Sequence, residues 1–176
     1  MPESDPVSAF PDRRWGREGT RLRELAVRVS CTRLGSDLVR WMAPLDRAVL
    51  RRSRGRYTLL GPIAAPVLLL TTTGARSGRP RTTPLLYGRD ADRDALIVVG
   101  SNFGQPQHPA WSGNLLANPR AVVDVGGTAV PVEAELLAGD EAEAAYRTMV
   151  AVARTYDEYR SRTERAIRVF RLTAAP

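Results

Sequence analysis

The sequence contains no lysine, one cysteine and one histidine, and it has no apolar run long enough to cross a membrane. The single cysteine, Cys31, excludes an internal disulfide and the common zinc-binding spacings, and it fits a reducing, cytoplasmic compartment. Because His108 is the only histidine, a histidine-bearing metal site would need carboxylate partners that the neighbouring sequence does not supply. Glycine-rich dinucleotide loops, Walker loops and nucleophile elbows are absent too. These absences favour a protein whose chemistry is carried by a bound cofactor.

All 26 basic residues are arginine, and they are unevenly distributed along the 176 residues. From Arg47 to Arg89 there are nine arginines and no acid, whereas the other 133 residues hold 17 arginines and 19 acids, a net charge of −2. This local excess indicates an anionic ligand or surface. No helix-turn-helix, zinc finger or RNA-binding aromatic motif accompanies it, so we predict no nucleic-acid partner.

Residues 1–55 are predicted to form an extension that precedes the main domain. A polar, loose tail is expected over 1–19, followed by two basic amphipathic helices at 20–34 and 36–53. These helices could pack on the following domain. Alternatively, residues 20–54 could lie on an anionic membrane surface, which would place the protein peripherally at the inner face of the cell membrane.

Residues 56–176 are predicted to form one domain of short strands with tight turns. Helices are expected over 110–117 and from Asp140, as the cap, to about Arg154. The expected strands are 56–60, 67–73, 81–89, 95–101, 121–125, 129–137 and 167–172. Closely linked antiparallel strands with a few inserted helices favour a small β-barrel, mainly β with helices (α+β), over a Rossmann domain.

The strand predicted at 67–73 runs into a turn that contains two glycines and is rich in arginine. Arg76, Arg79 and Arg81 fall within six residues of one another, beside turn N–H groups that we expect to be free. Guanidinium groups and free N–H groups together suit a phosphate or a similar multiply anionic group. A solvated hairpin turn is the alternative interpretation.

Aromatic residues follow in positions that suit a cofactor ring and a substrate. The loop 101–109 and Trp111 could lie beside such a ring, and His108 in this loop is better suited to fixing the loop than to catalysis. Tyr156 and Tyr159, three residues apart on a predicted helix, would face the same way and could line a substrate pocket. Ordinary packing of the helix on the barrel would explain the same spacing.

The segment Leu-Leu-Leu-Thr-Thr-Thr-Gly-Ala-Arg-Ser-Gly-Arg-Pro-Arg-Thr-Thr-Pro-Leu-Leu-Tyr (68–87) resembles the signature of the deazaflavin (F420)-dependent nitroreductase family. Three later pieces follow in the family's order: residues 101–104; residues 108–111 with 114–115 and 117–119; and residues 156–159 with Thr163. The resemblance covers about residues 50–174. It implies a split β-barrel of the actinobacterial flavin/deazaflavin oxidoreductases that binds coenzyme F420. Such an enzyme transfers a hydride from the reduced deazaflavin to a hydrophobic acceptor, which is a quinone, an enone or a nitroaromatic.

The resemblance also implies roles for individual residues. Ser101, Tyr156 and Tyr159 would be catalytic or border the substrate, with Ser101 assisting proton delivery, and no metal is implied. The implied cofactor-binding residues are Arg76, Ser77, Gly78, Arg81, Thr82, Pro84, Val99, Gly100, Ser101, Asn102, Pro109 and Trp111. Barrels of this kind often form homodimers.

Three positions depart from the family pattern. Ala75 and Asn102 stand where the family often has basic residues, and Ala153 stands where a further aromatic residue is common. Two alternatives therefore remain open. FMN, which also carries a phosphate, could replace coenzyme F420 on the same barrel, or the pocket could belong to a redox-silent binding or biosynthetic protein.

Overall fold

The computed structural model describes residues 8–11, 45, 49, 52 and 66–176. Seven strands form one antiparallel sheet: β1 (Val67–Thr73), β2 (Pro80–Leu86), β3 (Gly88–Asp90), β4 (Ala95–Val99), β5 (Arg120–Val125), β6 (Thr128–Leu136) and β7 (Val169–Ala174). Three α-helices accompany the sheet: α1 (Ala110–Ala117), α2 (Gly139–Val152) and α3 (Thr155–Ser161).

The order of strands in the sheet explains why it forms a barrel. The order is β2-β1-β5-β6-β7-β4-β3, so β2 and β3 lie at opposite edges. Only Tyr87 separates these two edge strands in the chain, and the sheet must therefore curl until its edges meet. Strand β2 also contacts β4 near this closure. The α+β split barrel predicted from the sequence is confirmed.

Strand β4 is buried on both of its faces, which explains its uninterrupted apolar sequence. Leu96 and Val98 lie in the core of the barrel. Ile97 and Val99 point the other way and pack in a second core, which contains Met149 of α2. This second core joins the outside of the sheet to α2 and α3.

Several elements lie where the sequence predicts them. Strand β1 and helix α1 have the predicted bounds. The hairpin between β5 and β6 turns at Gly126 and Gly127, whose φ angles are 61° and 94°. Positive φ at both central residues is the turn geometry that matches the twist of adjacent strands, and it strongly favours glycine.

Two expectations are wrong in detail. The strand predicted at 81–89 is divided at Tyr87, because the chain crosses there from one edge of the sheet to the other. Asp140 does not cap α2: the helix begins at Gly139 after Ala138, and no side chain bonds its first N–H groups. Asp140 lies in the first turn instead, where its negative charge interacts favourably with the positive end of the helix dipole.

Residues 8–11 are attached to the barrel, which corrects the expectation of a loose tail over 1–19. The Phe10 side chain is 2% exposed and belongs to the barrel core. The Arg89 guanidinium donates to the backbone oxygens of Phe10 at 2.9 Å and Pro11 at 2.7 Å. One buried apolar ring is enough to attach this otherwise polar segment to the barrel. The polar composition of residues 1–19 as a whole gives no indication of the attachment.

The same segment bonds the Asp94 carboxylate, and this should make its attachment sensitive to pH. The Ser8 hydroxyl and the Ala9 N–H donate to Asp94, and with the Arg89 charge they hold its pKa below the ordinary value of 3.8. A lowered pKa means that this stabilisation is complete above the unfolded-state pKa and is lost as pH falls through the folded value. We expect Asp94→Asn to be less stable than wild type at pH 6, with the difference shrinking by pH 3. Urea unfolding at pH 6 and at pH 3 measures the difference in the free energy of unfolding between the two proteins. Asparagine tolerates the φ of 43° at this position.

Other predictions fall on the part of the chain that is not described. The two N-terminal helices, the strand at 56–60 and Cys31 lie outside the described residues, except that Leu45, Val49 and Arg52 are helical. Within the described ranges, we find no helix with the length and apolar character needed to span a membrane.

Candidate active site

The turn between β1 and β2 is closed by its own backbone. The Gly74 N–H donates to the Arg79 oxygen at 2.9 Å, and the Gly78 N–H donates to the Gly74 oxygen at 2.8 Å. Gly78 has a φ of 63°, which a residue with a side chain rarely adopts. Among the described residues, the N–H groups with acceptors in this turn are those of Gly74, Ala75, Ser77, Gly78 and Arg79. The expectation of several free N–H groups is therefore wrong, and side chains must supply most contacts to an anion.

Three arginine side chains, two in this turn and one in β2, are exposed and have no acidic partner among the described residues. Arg76, Arg79 and Arg81 make no ion pair or hydrogen bond through their side chains with any described residue. Arg81 lies across Gly74, since a Cβ on Gly74 would be 3.6 Å from the Arg81 Cγ and 2.7 Å from the Ser77 Oγ. The absence of a side chain at Gly74 thus brings Ser77 and Arg81 together, which is what binding of one phosphate by both would require.

Helix α1 anchors the arginine turn through Asn114. This side chain is buried, its Oδ1 accepts from the Ala75 N–H at 3.0 Å, and its Nδ2 donates to the Thr72 Oγ1 at 2.9 Å. Sequence reasoning assigned no role to Asn114. The available signal was an amide side chain within a short apolar helix, since an amide that becomes buried there is nearly always hydrogen-bonded.

The alternation of β2 divides its predicted site residues between two faces. Arg81 and Thr82 are consecutive in the strand, so their side chains point to opposite faces. Thr82 shares its face with Pro84, and its hydroxyl already lies 2.9 Å from the Thr71 hydroxyl across the β1–β2 pair. Arg81 therefore belongs with the turn, whereas Thr82 and Pro84 belong with the face that β2 turns toward the second core, which includes Leu86.

The predicted ring-binding segment lies at the end of β4. Val99, Gly100 and Ser101 are buried, and the Gly100 N–H donates to the Arg168 oxygen at 2.8 Å. Pro109 packs on Gly100, because a Cβ added to Gly100 would be 3.4 Å from the proline ring. The structure therefore brings Pro109 against the 99–101 segment, as the resemblance implied for a shared site.

The loop after Ser101 has an unusual backbone and packs directly on α3. Asn102, Phe103 and Gly104 have φ angles of 48°, 57° and 75° in succession. The Phe103 ring meets the Tyr159 ring edge-on at 5.6 Å. A Cβ on Gly104 would lie 2.7 Å from the Arg162 Cβ and 2.8 Å from the Tyr159 oxygen. Left-handed φ angles at Asn102 and Phe103, which carry side chains, are costly, and the packing around them must hold the loop in place.

Arg165 binds this loop with four hydrogen bonds. Its guanidinium donates to the backbone oxygens of Gly100 at 3.0 Å, Ser101 at 2.6 Å and Gln105 at 2.9 Å. It also lies 3.2 Å from the His108 Nδ1. Sequence reasoning did not identify Arg165, because one arginine in a polar segment near the carboxyl terminus carries no distinguishing pattern.

His108 is held as a neutral ring. Arginine can only donate, so the His108 Nδ1 accepts and the ring proton is on Nε2. Burial, with the charges of Arg168 and Arg165, lowers the pKa of His108 below its ordinary value. His108 therefore fixes the loop, as the sequence suggested.

The two predicted tyrosines of α3 are arranged differently. Tyr156 is 6% exposed, its backbone oxygen accepts from the Tyr146 hydroxyl at 2.8 Å, and its ring meets those of Tyr146 and Tyr159 edge-on. Burial raises the pKa of Tyr156 well above its ordinary value of 10 and raises that of Tyr146 to about 12. Both phenols stay protonated at neutral pH and can donate a hydrogen bond. Tyr159, partly exposed, reaches the 102–104 loop through Phe103.

Trp111 is a core residue. Its side chain is 5% exposed and contacts the Phe170 ring at a centroid distance of 5.7 Å. Its contribution to a cofactor site would come from holding α1 and the preceding Pro109 in place. This burial contradicts the expectation that the Trp111 ring itself lies beside a cofactor ring.

A cavity of about 690 Å³ lies between α2 and α3. Its lining comprises Glu143, Tyr146, Arg147, Val150, Ala151, Arg154, Asp157 and Arg160. The Arg160 guanidinium and the Glu143 carboxylate form a bidentate ion pair there, with two N–O distances of 2.9 Å. None of the predicted site residues lines this cavity. In the part of the chain that the structure describes, no cluster of His, Cys, Asp or Glu could hold a metal ion.

The split barrel, the arginine turn and the loop at the end of β4 define the class of flavin/deazaflavin oxidoreductases. Two of the similar solved structures are as follows. One, described as a domain-swapped dimer, has a TM-score of 0.59 and 32% identity, covering 77% of this chain and 98% of that one. Another, described as an F420-H2 dependent reductase (FDR-A), has a TM-score of 0.57 and 37% identity, covering 61% of this chain and 94% of that one.

The sequence comparisons specify the family within this class. A family model described as F420H(2)-dependent quinone reductase matches residues 45–174. A Mycobacterium tuberculosis protein named F420H(2)-dependent quinone reductase is 37% identical over 148 residues, which cover 78% of this chain and 98% of that protein. The chain therefore belongs to the F420H(2)-dependent quinone reductase family, in agreement with the resemblance found in its motifs.

Proposed function

We propose that this protein binds coenzyme F420 and uses its reduced form to reduce a quinone. The observation that supports this most directly is the arginine turn. Three guanidinium groups with no acidic partner among the described residues are gathered at one end of the barrel. A coenzyme with a phosphate and an acidic oligoglutamate tail supplies the complementary charge, and each charge-assisted bond adds both affinity and orientation.

The two ends of the cofactor would be bound by different elements. Arg76, Arg79 and Arg81, with the Ser77 hydroxyl, would hold the phosphate, because most N–H groups of the turn are already bonded. The ring would lie along Pro84 and the 99–102 segment, of which Val99, Gly100 and Ser101 are buried, on the face that β2 and β4 share. Gly78 and Thr82 would shape the turn and the strand more than contact the anion, since their polar groups are already engaged.

Reduced coenzyme F420 supplies a hydride from ring carbon 5, and a quinone that receives a hydride and one proton becomes a hydroquinone. The protein must align donor and acceptor at about 3–3.5 Å and exclude water. Ser101 is 7% exposed and Tyr156 is 6% exposed, so both residues are largely shielded from water. We propose that Tyr156 and Tyr159 border the acceptor and that Ser101 helps deliver the proton. The raised pKa of Tyr156 suits a hydrogen-bond donor rather than a base.

A parallel titration tests the cofactor. Purified protein is titrated with oxidised coenzyme F420 and with FMN at moderate salt, and turnover is then followed with reduced coenzyme F420 and menadione as the quinone. We expect binding of the deazaflavin and consumption of the quinone. Preference for FMN would keep the oxidoreductase class and change the donor. Binding of neither would leave a redox-silent protein and contradict the proposal.

The substitution Arg81→Ala should weaken binding of coenzyme F420 by about 10- to 150-fold. Loss of a hydrogen bond to a charged group costs about 1.5–3 kcal/mol, which corresponds to that range. Fluorescence titration of the oxidised coenzyme measures the change. The matched control is Arg154→Ala, which removes an exposed arginine from the cavity between α2 and α3 and should leave the affinity unchanged. An unchanged dissociation constant in Arg81→Ala would remove Arg81 from the site.

Two proposals concern partners. We propose a homodimer, in line with the related structure described as a domain-swapped dimer. Size-exclusion chromatography with light scattering decides between monomer and dimer.

We also propose peripheral contact of residues 20–54 with an anionic membrane. The exposed side chain of Leu45, which is helical and 61% exposed, supports this proposal. Failure to sediment with anionic vesicles at low salt would exclude it.

A further inference from the structure

Arg165 lacks the partner that a partly buried arginine usually has. No described carboxylate pairs with it, whereas Arg160, Arg162 and Arg171 are each paired with an acid. Burial and the neighbouring charge of Arg168 both lower the pKa of Arg165. Its charge is instead balanced by backbone oxygens and the His108 ring, all of which belong to one loop.

The bonds of Arg165 lie on both sides of the strained part of this loop. Two carbonyl acceptors, those of Gly100 and Ser101, precede the left-handed residues 102–104, and the third, that of Gln105, follows them. Residues in sparsely populated backbone conformations persist only where their surroundings determine them. A planar guanidinium with five fixed donors is suited to holding several carbonyl groups at once, and a single ammonium group is not.

We propose that Arg165 is the positioning residue that fixes the loop 100–108 against the bound cofactor and acceptor. This inference rests on the proposed function. The loop carries Ser101, and its Phe103 ring forms the edge contact with Tyr159, so movement of the loop displaces both the proton-delivering group and one side of the acceptor site. The arginine turn binds the phosphate on a different element and is unaffected.

This separation predicts a specific kinetic pattern for Arg165→Ala. The kcat for menadione reduction should fall at least 10-fold, because a displacement of about 1 Å in a hydride-transfer geometry can cost about 100-fold. The dissociation constant of coenzyme F420 should change less than about fivefold, since the bonds to the phosphate are retained.

Arg168→Ala is the matched control. It removes the same charge three residues away, but its side chain donates one hydrogen bond, to the Ser112 Oγ at 3.2 Å, and the Arg168 backbone oxygen that Gly100 uses is retained. We expect its kcat to stay within about threefold of wild type. Equal losses in the two variants would attribute the effect to charge and overturn the proposal.

One further variant and one added compound separate positioning from general stability. Arg165→Lys keeps the charge and should show a kcat close to that of Arg165→Ala, because it cannot bridge four acceptors. Added methylguanidine should partly restore the kcat of Arg165→Ala and not that of Arg165→Lys. Wild-type kcat in Arg165→Lys, or no restoration by methylguanidine, would overturn the role of the guanidinium.

Hydrogen exchange gives a test that does not depend on activity. The amides of residues 101–105 should exchange faster in Arg165→Ala than in wild type and should be unchanged in Arg168→Ala. Unchanged exchange in Arg165→Ala would overturn the proposal even if kcat fell. If the wild-type protein did not reduce menadione with reduced coenzyme F420, the proposed function would fail, and the exchange rates would still decide whether Arg165 holds the loop.

Discussion

Replacing Phe10 with alanine is expected to lower the free energy of unfolding by about 3–5 kcal/mol, the usual cost of removing a buried phenylalanine ring. The Phe10 side chain is 2% exposed within the barrel core, far along the chain from the strands that surround it. Removing the ring leaves a cavity and also weakens the attachment of residues 8–11. Urea unfolding followed by circular dichroism measures the effect.

Two controls make this result specific. Phe10→Leu keeps most of the apolar volume and should cost less than Phe10→Ala, because the remaining cavity is smaller. Leu136→Ala removes an apolar side chain that is 46% exposed, and its effect should stay within about 0.5 kcal/mol. A loss below about 1 kcal/mol in Phe10→Ala would contradict the packing of residues 8–11 against the barrel.

Replacing Gly104 with alanine is expected to lower the free energy of unfolding by about 2–5 kcal/mol and to reduce quinone turnover. A side chain at its φ of 75° costs about 1–2 kcal/mol. The new Cβ would also lie 2.8 Å from the backbone oxygen of Tyr159, and overpacking of this kind costs about 1–3 kcal/mol. The loop and α3 must move apart to relieve this contact.

The control for Gly104→Ala is Gly139→Ala. Gly139 has a φ of 55°, and a Cβ at this position would have no neighbouring atom within 4 Å, so its substitution should show the backbone cost alone, about 1–2 kcal/mol. The difference between the two variants measures the steric contact with α3. Equal losses, with normal turnover in Gly104→Ala, would mean that the loop does not depend on its packing against α3.

Much of the fold could be predicted because its signals are local. The apolar run at 67–73 has the length and β-branched content of a buried strand, and β1 has those bounds. The Gly126–Gly127 pair gives the β5–β6 hairpin through its backbone preference alone. The clustering of arginine around the turn is likewise visible without a structure, since residues close in the chain stay close in space.

The sequence by itself determined the class of the protein: closely linked antiparallel strands, the arginine turn, and through the motifs the family and its cofactor. Tertiary structure alone decided which of these residues act together. It buried Trp111 in the core, bonded the arginine turn to Asn114, and brought Arg165 to Ser101, 64 residues apart. The physical reason is that a strand's alternation follows from local geometry, whereas the partner of a long polar side chain depends on how the sheet curls.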